Sequence, residues 1–212
     1  SRFMFGWEFR HKDVSQVVQE VQEVQEIGRK GIFFVDNIFG AGEKNYIIEL
    51  TKKLKPLRIN FIIISDFKII NDEELLKSLT ESGCRIISLN IANCTKEEEK
   101  IIKEIHRYGI ETWGYFMFGS ENHDEAIFSE VVRFIEETNM KYLTLTVLAP
   151  YPNTPYYQRL EKEGRILSKD WNLYDQTHVV FKPKLMSSEA LENGYRWALE
   201  ETKSFVKKAV WE

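Results

Sequence analysis

The stretch Tyr142 to Arg165, YLTLTVLAPYPNTPYYQRLEKEGR, is the part of the sequence from which the fold is deduced. Tyr142 to Leu148 predicts a buried strand, and Tyr156 to Glu163, followed by Gly164, predicts a helix. The three prolines between them favour a rigid turn, because proline fixes its own backbone angle φ. Since the carboxyl ends of strands carry the sites of α/β proteins, we expect a site near this turn.

The same order of strand and helix recurs along the chain before this stretch. Four further apolar runs predict buried strands, at Gly31–Val35, Ile59–Ile64, Arg85–Ile91 and Thr112–Phe118. Helices are predicted between them, and a strict alternation of this kind implies parallel strands joined by right-handed crossovers. No glycine-rich phosphate loop follows a strand, which argues against a Rossmann or P-loop fold.

The predicted fold class is α/β, a partial parallel (β/α)6 barrel of the TIM type. A complete barrel of eight strands needs about 250 residues, whereas this chain has 212 residues and starts on a predicted helix. We therefore expect the first strand of the barrel to be missing. Residues 1–166 should form the barrel, and residues 167–212 a C-terminal extension that packs on it and includes a long amphipathic helix from Ser187 to Trp211.

Composition and charge argue against several classes of protein. The formal net charge is -4 and the basic residues are spread along the chain, which argues against a nucleic-acid surface. No apolar run reaches the roughly 18–20 residues of a membrane span. Cys84 and Cys94 flank a predicted strand and should lie more than ~20 Å apart, too far for a disulfide. Free thiols fit a reducing, cytoplasmic compartment, and two cysteines are too few for a complete iron–sulfur site.

Two long segments resemble a known family. They are LAPYPNTPYYQRLEKEGRI at Leu148–Ile166 and DWNLYDQTHVVFKPKLMSSEALENGYRWAL at Asp170–Leu199. Both are similar to the late part of radical S-adenosylmethionine (SAM) proteins, most of all to the iron–sulfur oxidoreductases that often carry a cobalamin-binding domain. Asn153 stands where that family usually has glycine. Shorter pieces agree with this resemblance: FFVDNIFG from Phe33, DEELLKSLTESGC from Asp72 and YGIETWGYFMFG from Tyr108.

The resemblance implies a partial (β/α)6 barrel and a set of cofactors. In that family a CxxxCxxC loop after the first strand binds a four-iron four-sulfur cluster, which cleaves S-adenosylmethionine to a 5′-deoxyadenosyl radical. That loop would precede Ser1, so no metal ligand is expected in this sequence and this chain alone should be inactive. Cobalamin would be bound by a further domain. The substrate is expected to be a small molecule of unknown identity, with no membrane or nucleic-acid partner.

The resemblance also implies which residues contact the cofactor. Asp36 and Asn37 would bind the amino group of S-adenosylmethionine, and Asn90 or Asn93 one of its hydroxyls. Ser65 is a further candidate for ligand contact. The remaining candidates are expected near the adenine ring, along the backbone of the fourth predicted strand or at the last rim of the barrel: Gly114, Phe116, Gly119, Leu148 and Tyr151.

Structural explanations remain open for several of these residues. Asp36 and Asn37 could simply begin a helix, Gly114 could serve tight packing, and Tyr151 could belong to an aromatic core. Ala92 and Ile63 stand where the family has polar ligand residues. A catalytically silent or engineered scaffold that binds no cluster is therefore the alternative to an enzyme. A barrel with an unrelated small-molecule site is a third possibility, which the tail motif argues against.

Overall fold

A computed structural model describes residues 10–29 and 31–205. Within them the chain alternates between strands and helices. The strands are β1 (Gly31–Phe33), β2 (Asn60–Ser65), β3 (Cys84–Ile91), β4 (Glu111–Phe118) and β5 (Tyr142–Val147). Besides a four-residue helical turn at Phe67–Ile70, the helices are α1 (Val14–Glu26), α2 (Lys44–Leu54), α3 (Glu73–Ser82), α4 (Lys96–Arg107), α5 (Ala126–Thr138), α6 (Pro155–Lys162) and α7 (Ser188–Thr202).

The five strands form one parallel sheet in the order β1-β2-β3-β4-β5. Each strand pairs with the next along the chain, because each intervening helix crosses back over the same side of the sheet. A register shift between Phe61 and Ile62 bends β2 against β3. The α/β partial barrel predicted from the sequence is confirmed.

The sheet is strongly curled, as the contact between Phe33 and Trp113 shows. Phe33 ends β1 and Trp113 lies on β4, so their strands would be ~14 Å apart in a flat sheet. Their ring centroids are only 6.3 Å apart, with an interplanar angle of 27°. The two rings therefore meet across the inside of a half-barrel rather than along a sheet surface.

Alternate residues of the strands face the helices and form the main core. On β4, Phe116 packs edge-on against Phe134 of α5 with 6.3 Å between ring centroids, and Phe118 lies 5.0 Å from Phe128 of the same helix. Leu89 of β3 is also fully buried in this core. The opposite residues of each strand face the concave side, which the structure leaves open toward the carboxyl ends.

The first strand differs from its prediction. Gly31–Val35 was expected to be a buried strand, but β1 ends at Phe33 and lies at the edge of the sheet. Phe33 is 38% exposed and Val35 is 75% exposed. An edge strand has a neighbour on one side only, so an apolar run is not sufficient to bury it.

The turn between β5 and α6 is fixed as its prolines predict. Pro155 is the first residue of α6, and the Thr154 hydroxyl accepts the Tyr157 backbone N–H at 3.2 Å as an N-cap. Asn153 has a φ of 62°, which is the left-handed conformation that glycine adopts most easily. That geometry explains why glycine is usual at this position in the family that the sequence resembles.

The segment after α6 returns to the sheet before α7 begins. Ile166 and Phe181 form an antiparallel bridge, and Phe181 is fully buried. α7 then packs against α5 so closely that a Cβ added to Gly194 would lie 2.1 Å from the Phe128 ring. The predicted helix to Trp211 is seen as far as Thr202, and residues 206–212 lie outside the described part. The division at residue 166 stays a prediction.

Candidate functional site

The concave face of the sheet is built in layers, because residues in register on neighbouring parallel strands point to the same side. We call this face the cup. From the amino ends of the strands, its layers are Phe33, Ile62, Ile86 and Glu111; then Ile64, Ser88, Trp113 and Tyr142; then Asn90, Tyr115 and Thr144; then Met117 and Thr146. The first layer is mostly apolar, whereas hydroxyl and amide groups dominate nearer the carboxyl ends.

Hydrogen bonds fix the wall of the cup formed by β4 and β5. The indole Nε1 of Trp113 donates to the Thr144 hydroxyl at 2.8 Å. The Tyr115 hydroxyl donates to the Gln176 side-chain oxygen at 2.6 Å, and the Gln176 amide donates to the Tyr151 hydroxyl at 2.7 Å. The loop that carries Gln176 therefore lies against the carboxyl end of this wall.

Six of the residues expected to bind the cofactor lie at one edge of the sheet. Parallel strands all end at the same edge, and these residues lie near the end of a strand or in the loop that follows it. They are Asp36, Asn37, Asn90, Asn93, Leu148 and Tyr151. Asn90 faces the cup in register with Tyr115, whereas Asn93 is exposed in the loop beyond β3. Their roles in binding stay predictions.

The side chains of Ser65 and Phe116 face the helices rather than the cup, and the roles expected of these residues in binding stay predictions. Ser65 is in register with Leu89, so its side chain faces the helices, and it is only 6% exposed. The Phe116 ring is buried against Phe134 of α5. Side chains alternate between the two faces of a strand, and these two lie on the face opposite to that of Asn90 and Tyr115. Neither side chain therefore lines the cup.

The two glycines of the fourth strand region are explained by packing. A Cβ on Gly114 would lie 2.6 Å from the Phe116 ring and 2.7 Å from the Met140 sulfur, both on the helix side. Gly119 has a φ of 92°, and a Cβ there would lie 2.9 Å from Leu191 of α7. Close approach of a ligand is not needed to account for either glycine, and a backbone contact with adenine stays a prediction.

Sequence reasoning missed the most strongly connected residues of the cup. Tyr115 and Trp113 alternate with Gly114 and Phe116, and only one of the two sets can face the cup. The structure decides between the two sets, because it shows that the Phe116 ring packs against α5. Gln176 lies 61 positions from Tyr115 in a segment without periodicity, so the sequence carries no local signal for their contact.

The loop after β4 is anchored by an ion-pair cluster. Arg165 Nη2 lies 3.0 Å from Glu121 Oε1, and the Arg159 guanidinium lies 3.7 Å from the other oxygen. Burial favours the neutral form of Glu121, but the hydrogen bond and charge of Arg165 outweigh it and hold the pKa of Glu121 below its usual value. Burial and the nearby carboxylate raise the pKa of Tyr156 to about 12. Glu121 is thus an ionised anchor whose oxygens are already paired with cations.

His123 lies in the same loop and is partly buried. Its Nδ1 is enclosed and has no hydrogen-bond partner among the described residues. Burial lowers the pKa of His123, since the charged imidazolium is less well solvated there. The imidazole is therefore held in its neutral form near the carboxyl edge of β4.

The two cysteines do not form a metal site. Cys84 is fully enclosed and burial raises its pKa. Burial, followed by the charges of Glu98 and Glu130, raises the pKa of Cys94 to about 12. Thiolates are the form that binds iron–sulfur clusters, and neither group is readily ionised. Both cysteines are free, as predicted, and the described residues contain no cluster of three or more groups suited to a metal.

A groove of about 550 Å³ lies on the outer side of the molecule, between α5 and α7. Phe128, Gly194, Asn193 and Trp197 line it. It is separated from the cup by the core under β4. Within residues 10–29 and 31–205, no helix is both long and apolar enough to cross a membrane.

A comparison with solved structures shows which known proteins have a similar fold. The chain superposes on the radical S-adenosylmethionine methyltransferase TsrM from Kitasatospora setae, solved with cobalamin and a [4Fe-4S] cluster bound, with a TM-score of 0.63. The two share 14% identity, and the match covers 72% of this chain and 34% of TsrM. At this identity the match shows a shared fold, a half-barrel like that of TsrM.

Two curated relatives extend the comparison to sequence. The chain is 26% identical to bacteriochlorophyllide d C-12(1)-methyltransferase of Chlorobaculum tepidum over 89% of this chain and 44% of that protein. It is 24% identical to an uncharacterized methyltransferase of Pyrococcus horikoshii over 93% of this chain and 46% of that protein. The chain thus spans about half the length of these relatives. No family model matches it.

These names refine the expectation from the sequence. The partial barrel is shared with a solved radical SAM methyltransferase, whereas the oxidoreductase group is not supported, because both relatives are named methyltransferases.

Proposed function

We propose that this chain is the barrel of a radical SAM methyltransferase and that it binds S-adenosylmethionine in the cup. The observation that carries the proposal is the agreement of two independent comparisons. Sequence relatives at 24–26% identity are named methyltransferases, and a solved radical SAM methyltransferase has the same half-barrel. In this proposal the chain is one part of a longer protein, as its coverage of the relatives suggests.

The residues of the cup fit the adenosyl part of such a ligand. Asn90, Ser88 and Thr144 offer amide and hydroxyl groups that can bond to ribose hydroxyls and ring nitrogens. Phe33 and Trp113 close the floor and keep water from the ligand's inner side. Asp36, beyond β1, is the carboxylate proposed to meet the ligand's amino group.

The described residues do not fit an iron–sulfur cluster. A cluster of this type needs several thiolates, whereas the two thiols present lie at opposite ends of β3 and have raised pKa values. We therefore propose that any cluster, and any cobalamin, is held by residues of the whole protein outside the described part. Bound S-adenosylmethionine supplies an activated methyl group, and the barrel binds it, orients it and excludes water.

The methyl acceptor is proposed to be an organic small molecule. One relative is named for a bacteriochlorophyllide and the other name specifies no acceptor. The open carboxyl edge of the cup is where such an acceptor would approach the methyl group. The alternative, a silent scaffold, predicts that the cup binds no S-adenosylmethionine.

Methyl transfer can be tested on the whole protein, purified and reconstituted with iron and sulfide without oxygen. With S-adenosylmethionine carrying a deuterated methyl group, a reductant and added reduced cobalamin as the methyl acceptor, we expect either S-adenosylhomocysteine with deuterated methylcobalamin or reductive cleavage to 5′-deoxyadenosine and methionine, detected by mass spectrometry. Asn90→Leu in the cup should weaken binding of S-adenosylmethionine at least fivefold, about the value of one lost hydrogen bond.

Asn193→Leu is the matched control, because it makes the same change in the outer groove. It should leave binding unchanged. Absence of both products together with no measurable binding by the unchanged protein would favour the silent scaffold. Equal losses from both substitutions would contradict a site in the cup.

A further inference from the structure

The loop that carries Gln176 is held in one conformation by its neighbours. Gln176 has a φ of 66°, a left-handed conformation that is unfavourable for a residue with a side chain. The Asp175 carboxylate accepts the backbone N–H groups of Thr177 at 2.8 Å and of His178 at 3.2 Å, and it pairs with the His178 ring at 2.9 Å. His178 stabilises this turn from an exposed position.

Gln176 connects three parts of the site. Its backbone oxygen accepts the N–H of Val147 at 2.7 Å, at the end of β5. Its side-chain oxygen accepts the Tyr115 hydroxyl from β4, and its side-chain amide donates to Tyr151 in the proline turn. One residue of the C-terminal segment thus fixes two tyrosine hydroxyls at the carboxyl end of the cup.

The direction of these hydrogen bonds decides whether each tyrosine hydroxyl can still donate a hydrogen bond to a ligand. Tyr115 uses its only proton on Gln176, so its oxygen can act only as an acceptor. The Tyr151 oxygen accepts from Gln176, which leaves its proton for another partner. Tyr151 is 48% exposed at the rim, so that proton can reach a bound ligand.

We propose that Gln176 is a positioning residue that sets the Tyr151 hydroxyl as a hydrogen-bond donor to an acceptor atom of the methyl donor. The proposal rests on the proposed function, because it takes S-adenosylmethionine as the ligand of the cup. It assigns a role in that site to the C-terminal segment, which the sequence connected only with packing on the barrel.

Gln176→Glu tests the direction of the hydrogen bonds while keeping their geometry. A carboxylate can accept from both tyrosines, so Tyr151 would turn its proton inward and cease to be a donor to the ligand. We expect Gln176→Glu and Tyr151→Phe each to weaken the binding of S-adenosylhomocysteine to the reconstituted whole protein about fivefold. Isothermal titration calorimetry measures both, and thermal unfolding should show that both variants remain folded.

The double variant distinguishes positioning from a general effect of charge or structure. If Gln176 acts through Tyr151, the variant with both changes should bind no more weakly than Tyr151→Phe alone. Gln158→Glu, an exposed position on α6, adds the same charge elsewhere and should not change binding. Gln176→Leu, which adds no charge, should also weaken binding about fivefold.

The outcomes separate this inference from the proposed function. Two results would overturn the role of Gln176 and leave the proposed function standing. In the first, Gln176→Glu binds S-adenosylhomocysteine as tightly as the unchanged protein does. In the second, the losses of affinity in the double variant are additive. Unchanged binding in Tyr151→Phe would do the same. No binding of S-adenosylhomocysteine by the unchanged protein would overturn the proposed function and this inference together.

Discussion

Asn153 shows how a single backbone angle fixes the turn between β5 and α6. Its φ of 62° lies in the left-handed region, and the next residues, Thr154 and Pro155, begin α6 directly. Asparagine tolerates this conformation better than most residues with a side chain, and glycine better still. The residue therefore occupies a position where a β-branched side chain should be costly.

Asn153→Val should lower the free energy of unfolding by about 1–2 kcal/mol, because it forces a β-branched residue into the left-handed region. Asn153→Gly should cause no such loss. Urea unfolding followed by circular dichroism measures both. Asn122→Val is the matched control, since Asn122 is exposed and has no positive φ. A valine variant at 153 as stable as the parent would show that the turn does not depend on this angle.

At the scale of single residues, the sequence predicted the end of α6 and the proline turn before it. It did not predict which face of β4 lines the cup. Gly164 ends its helix as predicted, with a φ of 65°, because the preference of glycine for the left-handed conformation is local. On β4, by contrast, the alternation Trp-Gly-Tyr-Phe-Met-Phe is apolar at nearly every position. It therefore gives no signal for which side faces the cup, and the placement of the Phe116 ring against Phe134 could not be predicted from it.

The elements α4 and β4 are joined by a partly buried histidine. His106, near the end of α4, lies 2.9 Å from the hydroxyl of Thr112, which is fully buried on β4. Burial lowers the pKa of His106; Glu111 raises it and Lys141 lowers it by smaller amounts. The folded chain therefore prefers a neutral imidazole at this junction.

This junction predicts a pH dependence of stability. The unfolded chain binds a proton at His106 near pH 6.5, whereas the folded chain binds it only at lower pH. Between these two pKa values the unfolded state carries more protons, so stability is fully present above about pH 6.5 and falls as the pH is lowered. His106→Gln cannot titrate and should flatten that part of the curve of unfolding free energy against pH.

A second variant separates titration from the hydrogen bond. Thr112→Val removes the partner of His106 but leaves the buried imidazole, so it should lower stability at every pH while keeping the slope. Urea unfolding between pH 5 and 8 gives both curves. If His106→Gln had the same slope as the parent, burial of this histidine would not be the cause of the pH dependence.

The order and limits of the strands and helices were largely predictable, because each element has its own period and caps. The edge position of β1 was not, since it depends on which strands lie beside it. The contact of Gln176 with Tyr115 and Tyr151 was also not predictable. It forms only when the segment after α6 folds back over the end of the sheet.

At the scale of the whole molecule, the curl of the sheet makes the candidate site. It brings Phe33 and Trp113 together as a floor and turns the polar ends of β3, β4 and β5 toward one space. The C-terminal segment closes one side through Gln176. The resemblance in sequence, the shared fold and this arrangement of side chains all favour the same end of the barrel as the ligand site.

The most direct test is a crystal structure of the whole protein with S-adenosylhomocysteine bound. We predict that the ligand lies in the cup, within about 4 Å of Asn90 and Tyr115 and in contact with the rim at Tyr151. The outer groove between α5 and α7 should remain empty. Electron density for the ligand in that groove, or contacts confined to the helix side of the sheet, would contradict the account.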